Sequence, residues 1–288
     1  LAAERDLRSS SFPVARIFLV VYQLIIANSG ESRGRASDPT ALPLLHPSPR
    51  MRVARLCHNA KETIDMSAFS DLAAVDYDER IVARVPGYRL GQQLAAAILA
   101  NRLGDGTHVL VVGCGTGEDL VALVRALPVT DFTAIDPSAG MLARAVTKAR
   151  QYGFANRVRF EQATAVDAPR ETYHAALASL VLHFLRDDGA KAAFLKAVAD
   201  RLCDGAPLVL IDPTDASLFE DDYRQWMIGQ GLEVEAADNV MTRVRKDWFR
   251  ATPERLADLV TEAGFEAPQV FFTALGYRGV VARRIRAS

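Results

Sequence analysis

The sequence predicts an α/β fold over residues 66–288, a doubly wound sheet with helices on both faces, preceded by a leader of different character. Three observations predict it. An apolar run from Val109 to Val112 breaks into glycines at 113, 115 and 117 and resumes as an amphipathic pattern, which reads as strand, tight loop and helix. Short apolar runs then alternate with helical stretches in a βα rhythm. Half of the residues are hydrophobic, ample for a large buried core at this length.

Residues 1–65 do not share that pattern. Ser, Arg and Pro dominate stretches such as SESRGRASDPTALPLLHPSPR, and no apolar periodicity offsets the entropy of ordering them. They are expected to form a leader or disordered segment. Within them PVARIFLVVYQLIIANSG has an apolar centre that also suits a signal-peptide core behind Arg5 and Arg8, but it is too short to span a bilayer. Met66 begins MSAFSDLAAVDYDER, which reads as an ordinary protein start, so leader or over-extended translation is the preferred reading.

From Asp78 the segment DERIVARVPGY is an approach loop, with a turn at Pro86 and Gly87, and leads into a helix through Leu94, Ile98 and Leu99. The predicted strands are HVLVV, DFTAID, RVRFEQ, AALASL and PLVLID, with helices over 117–127, 138–152 and 187–203 between them. After Asp212 the rhythm lapses over residues 213–250 into a polar and aromatic stretch, predicted to be a lid over an acceptor pocket, with Tyr223, Trp226, Trp248 and Phe249 as its lining. A helix over TPERLADLVTEAGF follows, with Thr252 as N-cap, Pro253 in its first position and Gly264 at its end. A terminal hairpin, PQVFFTALGY and GVVARR, closes the chain.

The glycine loop is built to receive a nucleotide-like cofactor, because the backbone turns sharply and the next helix directs its amides at the same place. A dinucleotide fingerprint would need GxGxxG, yet the third glycine arrives one residue early and Glu118 occupies the last glycine's position, where it opposes a pyrophosphate. Asp136 ends the second strand, where a carboxylate accepts hydrogen bonds from ribose hydroxyls. These residues carry a resemblance. VLVVGCGTGEDLVAL resembles motif I of the Rossmann-like S-adenosylmethionine (SAM) methyltransferases, and AIDPSAGML resembles their second motif. The resemblance, over about residues 76–288, implies a seven-stranded sheet with an antiparallel last strand, SAM as cofactor and methyl transfer to a small-molecule acceptor. DERIVARVPGY and TPERLADLVTEAGFE also resemble elements of the bacterial carboxy-SAM synthases of tRNA wobble-uridine modification, which implies SAM and prephenate as alternative substrates.

By resemblance, the cofactor-binding set comprises Tyr88 of VPGY, the loop residues Gly113, Cys114, Gly115 and Gly117, then Asp136, Pro137 and Met141, with Thr164 and Ala165 after the third strand and Ser179 ending the fourth. Departures from the pattern are Val111 where motif I carries an acid, and Ala163 and Thr164 where Gly-Asp usually meets the adenine; a hydroxyl there accepts more weakly than a carboxylate. The synthases hold their additional carboxylate with an arginine of the insert. Counting back from Gly264 without gaps puts Met241 at that place, with Arg243 and Arg245 nearby. His183, just past the fourth strand, is the one candidate general base, and packing is its alternative role. A non-catalytic SAM-binding protein remains the reading from another class.

Charge and cysteines narrow the partners. The net charge is −1, but residues 1–60 carry eight Arg and no Lys against four acids, so the remainder sums to −5. That acidic body argues against a broad nucleic-acid surface. Cys57, Cys114 and Cys203 are odd in number and widely spaced, and the five histidines lack ligand spacing, so neither a disulfide framework nor a metal is expected. A cytoplasmic enzyme without membrane attachment fits these features, and a homodimer is compatible with them.

Overall fold

The computed structural model describes residues 77–215 and 217–286, so the leader expected over 1–65 lies outside the described residues. Seven strands form one sheet: β1 (His108–Val112), β2 (Asp131–Asp136), β3 (Val158–Gln162), β4 (Ala175–Ser179), β5 (Pro207–Pro213), β6 (Gln269–Ala274) and β7 (Tyr277–Arg283). Their spatial order is β3-β2-β1-β4-β5-β7-β6. The first five are mutually parallel, while β7 runs antiparallel to both β5 and β6. The predicted antiparallel terminal strand is therefore present.

Eight α-helices accompany the sheet among the described residues: α1 (Tyr77–Val82), α2 (Tyr88–Ala100), α3 (Glu118–Ala126), α4 (Ala139–Gln151), α5 (Ala190–Ala199), α6 (Glu220–Gly229), α7 (Val234–Lys246) and α8 (Pro253–Glu262). The period of two in each strand sends alternate residues to opposite layers. Leu110 and Val112 of β1 pack with Leu195 and Val198 of α5 and Leu256 and Leu259 of α8. Val109 and Val111 pack on the other face with Ala95 and Leu99 of α2, Leu120 and Leu123 of α3, and Ala145 of α4. Each such fully buried Leu or Val contributes roughly 1.5–3 kcal/mol, so the two layers fix the sheet.

Local chemistry sets the boundaries. Ser138 caps α4 by accepting from the Met141 amide at 3.3 Å, and Thr252 caps α8 by accepting from the Arg255 amide at 3.1 Å. The helix expected over 187–203 is shorter, because Gly189 at φ 110° starts it and Asp200 ends it. The insert departs most from expectation. Where the sequence showed no regular rhythm it forms a helical pair, α6 and α7, which bury Tyr223, Met227, Ala237, Val240, Met241 and Val244 together with Tyr277 and Val85. No helix among the described residues is long and apolar enough to cross a membrane.

Candidate functional site

The parallel strands β1, β2 and β4 end side by side, and chain order reverses direction between β1 and β4, the place where open α/β sheets leave a crevice. The glycine loop lies at this edge. Gly113 and Cys114 donate their amides to the Ile135 carbonyl at 2.8 and 3.0 Å, and the Gly117 amide reaches the Cys114 carbonyl at 2.8 Å. Asp136 then closes the loop: one carboxylate oxygen accepts the Gly115 amide at 2.9 Å and the other accepts the Ser138 amide at 2.8 Å. Burial pushes its carboxyl above the usual range and these two bonds pull it back. Each oxygen retains a further lone pair.

Gly115 has φ 51°, and a Cβ built on it meets nothing within 4 Å; Gly113 has φ 70°, and a Cβ there would lie 2.3 Å from Val181 Cγ2. One glycine faces open space at the crevice and the other is wedged under the neighbouring loop. The segment from Asp78 latches on beside them: the Thr116 hydroxyl donates to Asp78, and Lys148 reaches Asp78 at 2.6 Å and also pairs with Glu118. Tyr88, at the start of α2, is drawn in against Tyr77, Asp119 and Glu118, with its phenol pushed up chiefly by burial.

Other sequence-nominated residues differ in what they present. The Cys114 side chain is buried in the apolar layer and its thiol is pushed well up by burial, so only its backbone belongs to the loop. Ala165 is likewise packed into the core. Met141 is buried yet belongs to none of the apolar clusters formed by the described residues, and the Pro137 carbonyl accepts from Gln162 Nε2 at 3.1 Å. Thr164 is exposed, and its hydroxyl donates to Asp167 at 2.7 Å. A carboxylate therefore stands beside the place where the sequence pattern lacks one. Ser179 ends β4, buried, and Leu180 follows at φ 57°, a strained backbone position for a non-glycine residue.

His183 is 3% exposed. Its Nδ1 lies 3.0 Å from Asp212, and its ring packs 4.0 Å from the Phe184 ring and 4.5 Å from that of Trp248. The Asp212 carboxylate also accepts the amides of Val181, Leu182 and His183 at 2.9, 2.7 and 3.0 Å. A carboxylate with four such partners braces the loop after β4, and His183 is part of that brace.

Three residues near the crevice escaped the sequence reading. Asp119, in the first turn of α3, is buried, and burial raises its carboxyl to about 7; its Oδ1 has no hydrogen-bond partner. Tyr77, at the start of α1, has Asp119, Asp136, Asp78 and Arg84 as charged neighbours, and burial pushes its phenol up. Asp212 closes β5. Its signal in the sequence was an acid at a strand end, the same signal that nominated Asp136.

Comparison with known proteins agrees with this geometry. Residues 110–208 match a family model described as a methyltransferase domain. The chain is 27% identical over 238 residues to a carboxy-S-adenosyl-L-methionine synthase of Methylococcus capsulatus, covering 76% of this chain and 94% of the relative. It is 23% identical over 229 residues to the synthase of the same name from Campylobacter hominis, covering 75% and 94%. Human N-acetylserotonin methyltransferase, solved in complex with SAM, shares the fold with a TM-score of 0.54 at 18% identity, over 76% of this chain and 59% of that one. Residues 110–208 thus match a methyltransferase-domain model, and the seven-stranded sheet around them has the fold of the solved methyltransferase.

Proposed function

We propose that this protein binds SAM in the crevice above Gly115 and transfers its methyl group to a small-molecule acceptor admitted beneath α6 and α7. The observation that carries the reading is the loop closed on Asp136, with open space at Gly115 and carboxylate lone pairs left for two hydroxyls. The residues fit the group. The buried, unpartnered Asp119 oxygen suits a cationic ligand, and Asp167 stands where an adenine amine would find an acceptor.

SAM supplies a methyl already activated on a sulfonium, so the protein's work is orientation and exclusion of water. Asp136 holds the ribose, the glycine loop admits the ligand to backbone contact, and Asp119 and Tyr88 border its charged end. Tyr77, Tyr223 and Tyr277 wall the acceptor side, with Tyr223 Oη 3.0 Å from Tyr277 Oη. We read His183 as a positioning residue, since its ring is enclosed and its Nδ1 is engaged by Asp212. Drawing on SAM fits a cytoplasmic location.

The similarity to carboxy-SAM synthases over 94% of their length favours a second reading, formation of carboxy-SAM from SAM and prephenate. The insert bears on it in both directions. Met241 is buried in the apolar cluster and Arg245 is exposed and paired with Glu220 at 2.8 Å, which weigh against it, whereas Arg243 makes no salt bridge among the described residues and is the insert arginine left to meet a carboxylate. Mass spectrometry of ligand carried through purification is the test, because SAM, its demethylated product and carboxy-SAM differ in mass. SAM or the demethylated product is expected, and no carboxy-SAM on incubation with prephenate. Carboxy-SAM in either experiment would make the second reading the function.

A further inference from the structure

The turn that carries Tyr88 is held by a hydroxyl of the insert as well as by its own backbone. It follows α1, a helix of 6 residues in which none is fully buried, so α1 gives it little anchorage. Within the turn the Val85 amide donates to the Ile81 carbonyl at 2.9 Å and the Tyr88 amide to the Val85 carbonyl at 3.1 Å, which leaves the Arg84 carbonyl to a side chain. Tyr223 of α6 meets it, its hydroxyl donating to that carbonyl at 2.5 Å.

The sheet fixes the second partner of Tyr223. Tyr277 Oη lies 3.0 Å from Tyr223 Oη, and because the Tyr223 proton is committed to a carbonyl, Tyr277 is the donor in that pair. Tyr277 begins β7 opposite Pro213 of β5, and the Gly276 carbonyl just before it accepts from both the amide and the hydroxyl of Thr214 at 2.8 Å. Gly87, immediately before Tyr88, has φ 70°, and a Cβ on it would lie 2.8 Å from Phe272 Cζ, so a ring of β6 packs directly on the turn's backbone. Val85, Tyr88, Tyr223, Phe272 and Tyr277 thus meet in one cluster. Tyr223 is buried in that cluster among Val, Ala, Met and Phe side chains. A phenol there is costly unless its hydroxyl is bonded, and Phe would supply the same ring. The Tyr223 hydroxyl therefore does something that packing alone does not require.

We propose that Tyr223 is a positioning residue for the cofactor: its hydroxyl ties the insert and β7 to the turn, and through the turn sets where Tyr88 stands at the crevice. Seating of the insert and binding of the cofactor are then coupled. By linkage, an acceptor that seats the insert raises affinity for the cofactor by the same factor as the cofactor raises affinity for the acceptor. The role of Tyr88 rests on the SAM-binding reading, whereas the tie between insert and turn does not.

Tyr223→Phe keeps the ring and removes the donor, so the test uses it in the full chain, alone and combined with Tyr88→Ala, beside the parent. Hydrogen exchange by mass spectrometry, calorimetric titration with SAM and thermal unfolding are the readouts. Without ligand, Tyr223→Phe should speed exchange of the Val85, Tyr88 and Gly91 amides about two- to tenfold, the scale of one hydrogen bond, and leave the amides of β1 and β4 unchanged. Tyr277→Phe, which spares the bond to the turn, should change that exchange less. At a temperature where both proteins are folded, Tyr223→Phe should weaken SAM binding by about the same two- to tenfold, and it should have no further effect in the Tyr88→Ala background. Tyr88→Phe replaces Tyr88→Ala in this cycle if the Ala form does not fold. A lowered melting temperature with turn exchange and SAM affinity unchanged would make Tyr223 a packing residue and overturn the proposal. A loss of SAM affinity that persists undiminished in the Tyr88→Ala background would overturn it too. A parent that binds no SAM, with turn exchange still accelerated by Tyr223→Phe, would instead sink the SAM-binding reading and support the tie.

Discussion

Asp136 and Asp119 sit at the mouth of one crevice, yet only one of them was legible in the sequence. Asp136 stood out because an acid ending an apolar strand before a helix start has a known use, and the structure adds that its two oxygens brace the loop through the Gly115 and Ser138 amides. Asp119 reads in the sequence as an ordinary acid of a first helical turn, a place usually in water. Its burial comes from segments distant in the chain, α1 and α2, which no local pattern records. Because burial raises its carboxyl to about 7, it is partly protonated at neutral pH in the empty protein. A bound cation favours the ionised form and draws that pKa down. SAM affinity is therefore expected to rise as pH increases through about 7 and level off above it, and Asp119→Asn should flatten the profile; calorimetry between acid and alkaline buffers measures both. The sign for stability is opposite. A carboxyl raised in the folded state destabilises the empty fold as pH climbs from its unfolded value of 3.8 through about 7, and the Asn form escapes that loss.

Among the elements, the glycine loop separates folding from binding. Gly113→Ala places a methyl 2.3 Å from Val181 at positive φ, and should destabilise the protein by about 2–4 kcal/mol, combining strain and overpacking. Gly115→Ala meets no protein atom, so its stability cost should stay near 1 kcal/mol, while the methyl enters the crevice and weakens SAM binding. Urea unfolding beside calorimetry distinguishes the two, and equal effects on stability would contradict the placement of the crevice. The insert was the element least legible in the sequence. Ala237, Val240, Met241 and Val244 do recur at helical spacing in α7, but Ala and Met give a weak apolar stripe among charged neighbours, and the partner surface of Tyr223, Tyr277 and Val85 is assembled only by the fold. The strands were legible because parallel strands buried on both faces are nearly continuous apolar runs, as in the fully buried AALAS of β4 and PLVLIDP of β5.

For the whole described domain, periodicity supplied the strands and the helices between them but not α1, read as an approach loop, nor α6 and α7; the reversed last strand followed from resemblance, and the spatial order β3-β2-β1-β4-β5-β7-β6 is seen only in the fold. Right-handed crossovers in two directions from β1 put the loop after it beside the ends of β2 and β4, which is why residues as distant as Gly115, Asp136 and Ser179 share an edge. Residues of α1 and of the turn after it pack with the insert, and in the proposed reading that packing decides what the crevice admits. The central claim is that this edge is a SAM site anchored by Asp136, and calorimetric titration of SAM into the parent chain and Asp136→Ala tests it most directly. The parent should bind one SAM per chain and the variant should lose about 1.5–3 kcal/mol of affinity, the scale of hydrogen bonds to a charged group, while circular dichroism shows that it remains folded. Equal affinity in a folded variant, or no binding by the parent, would contradict the account.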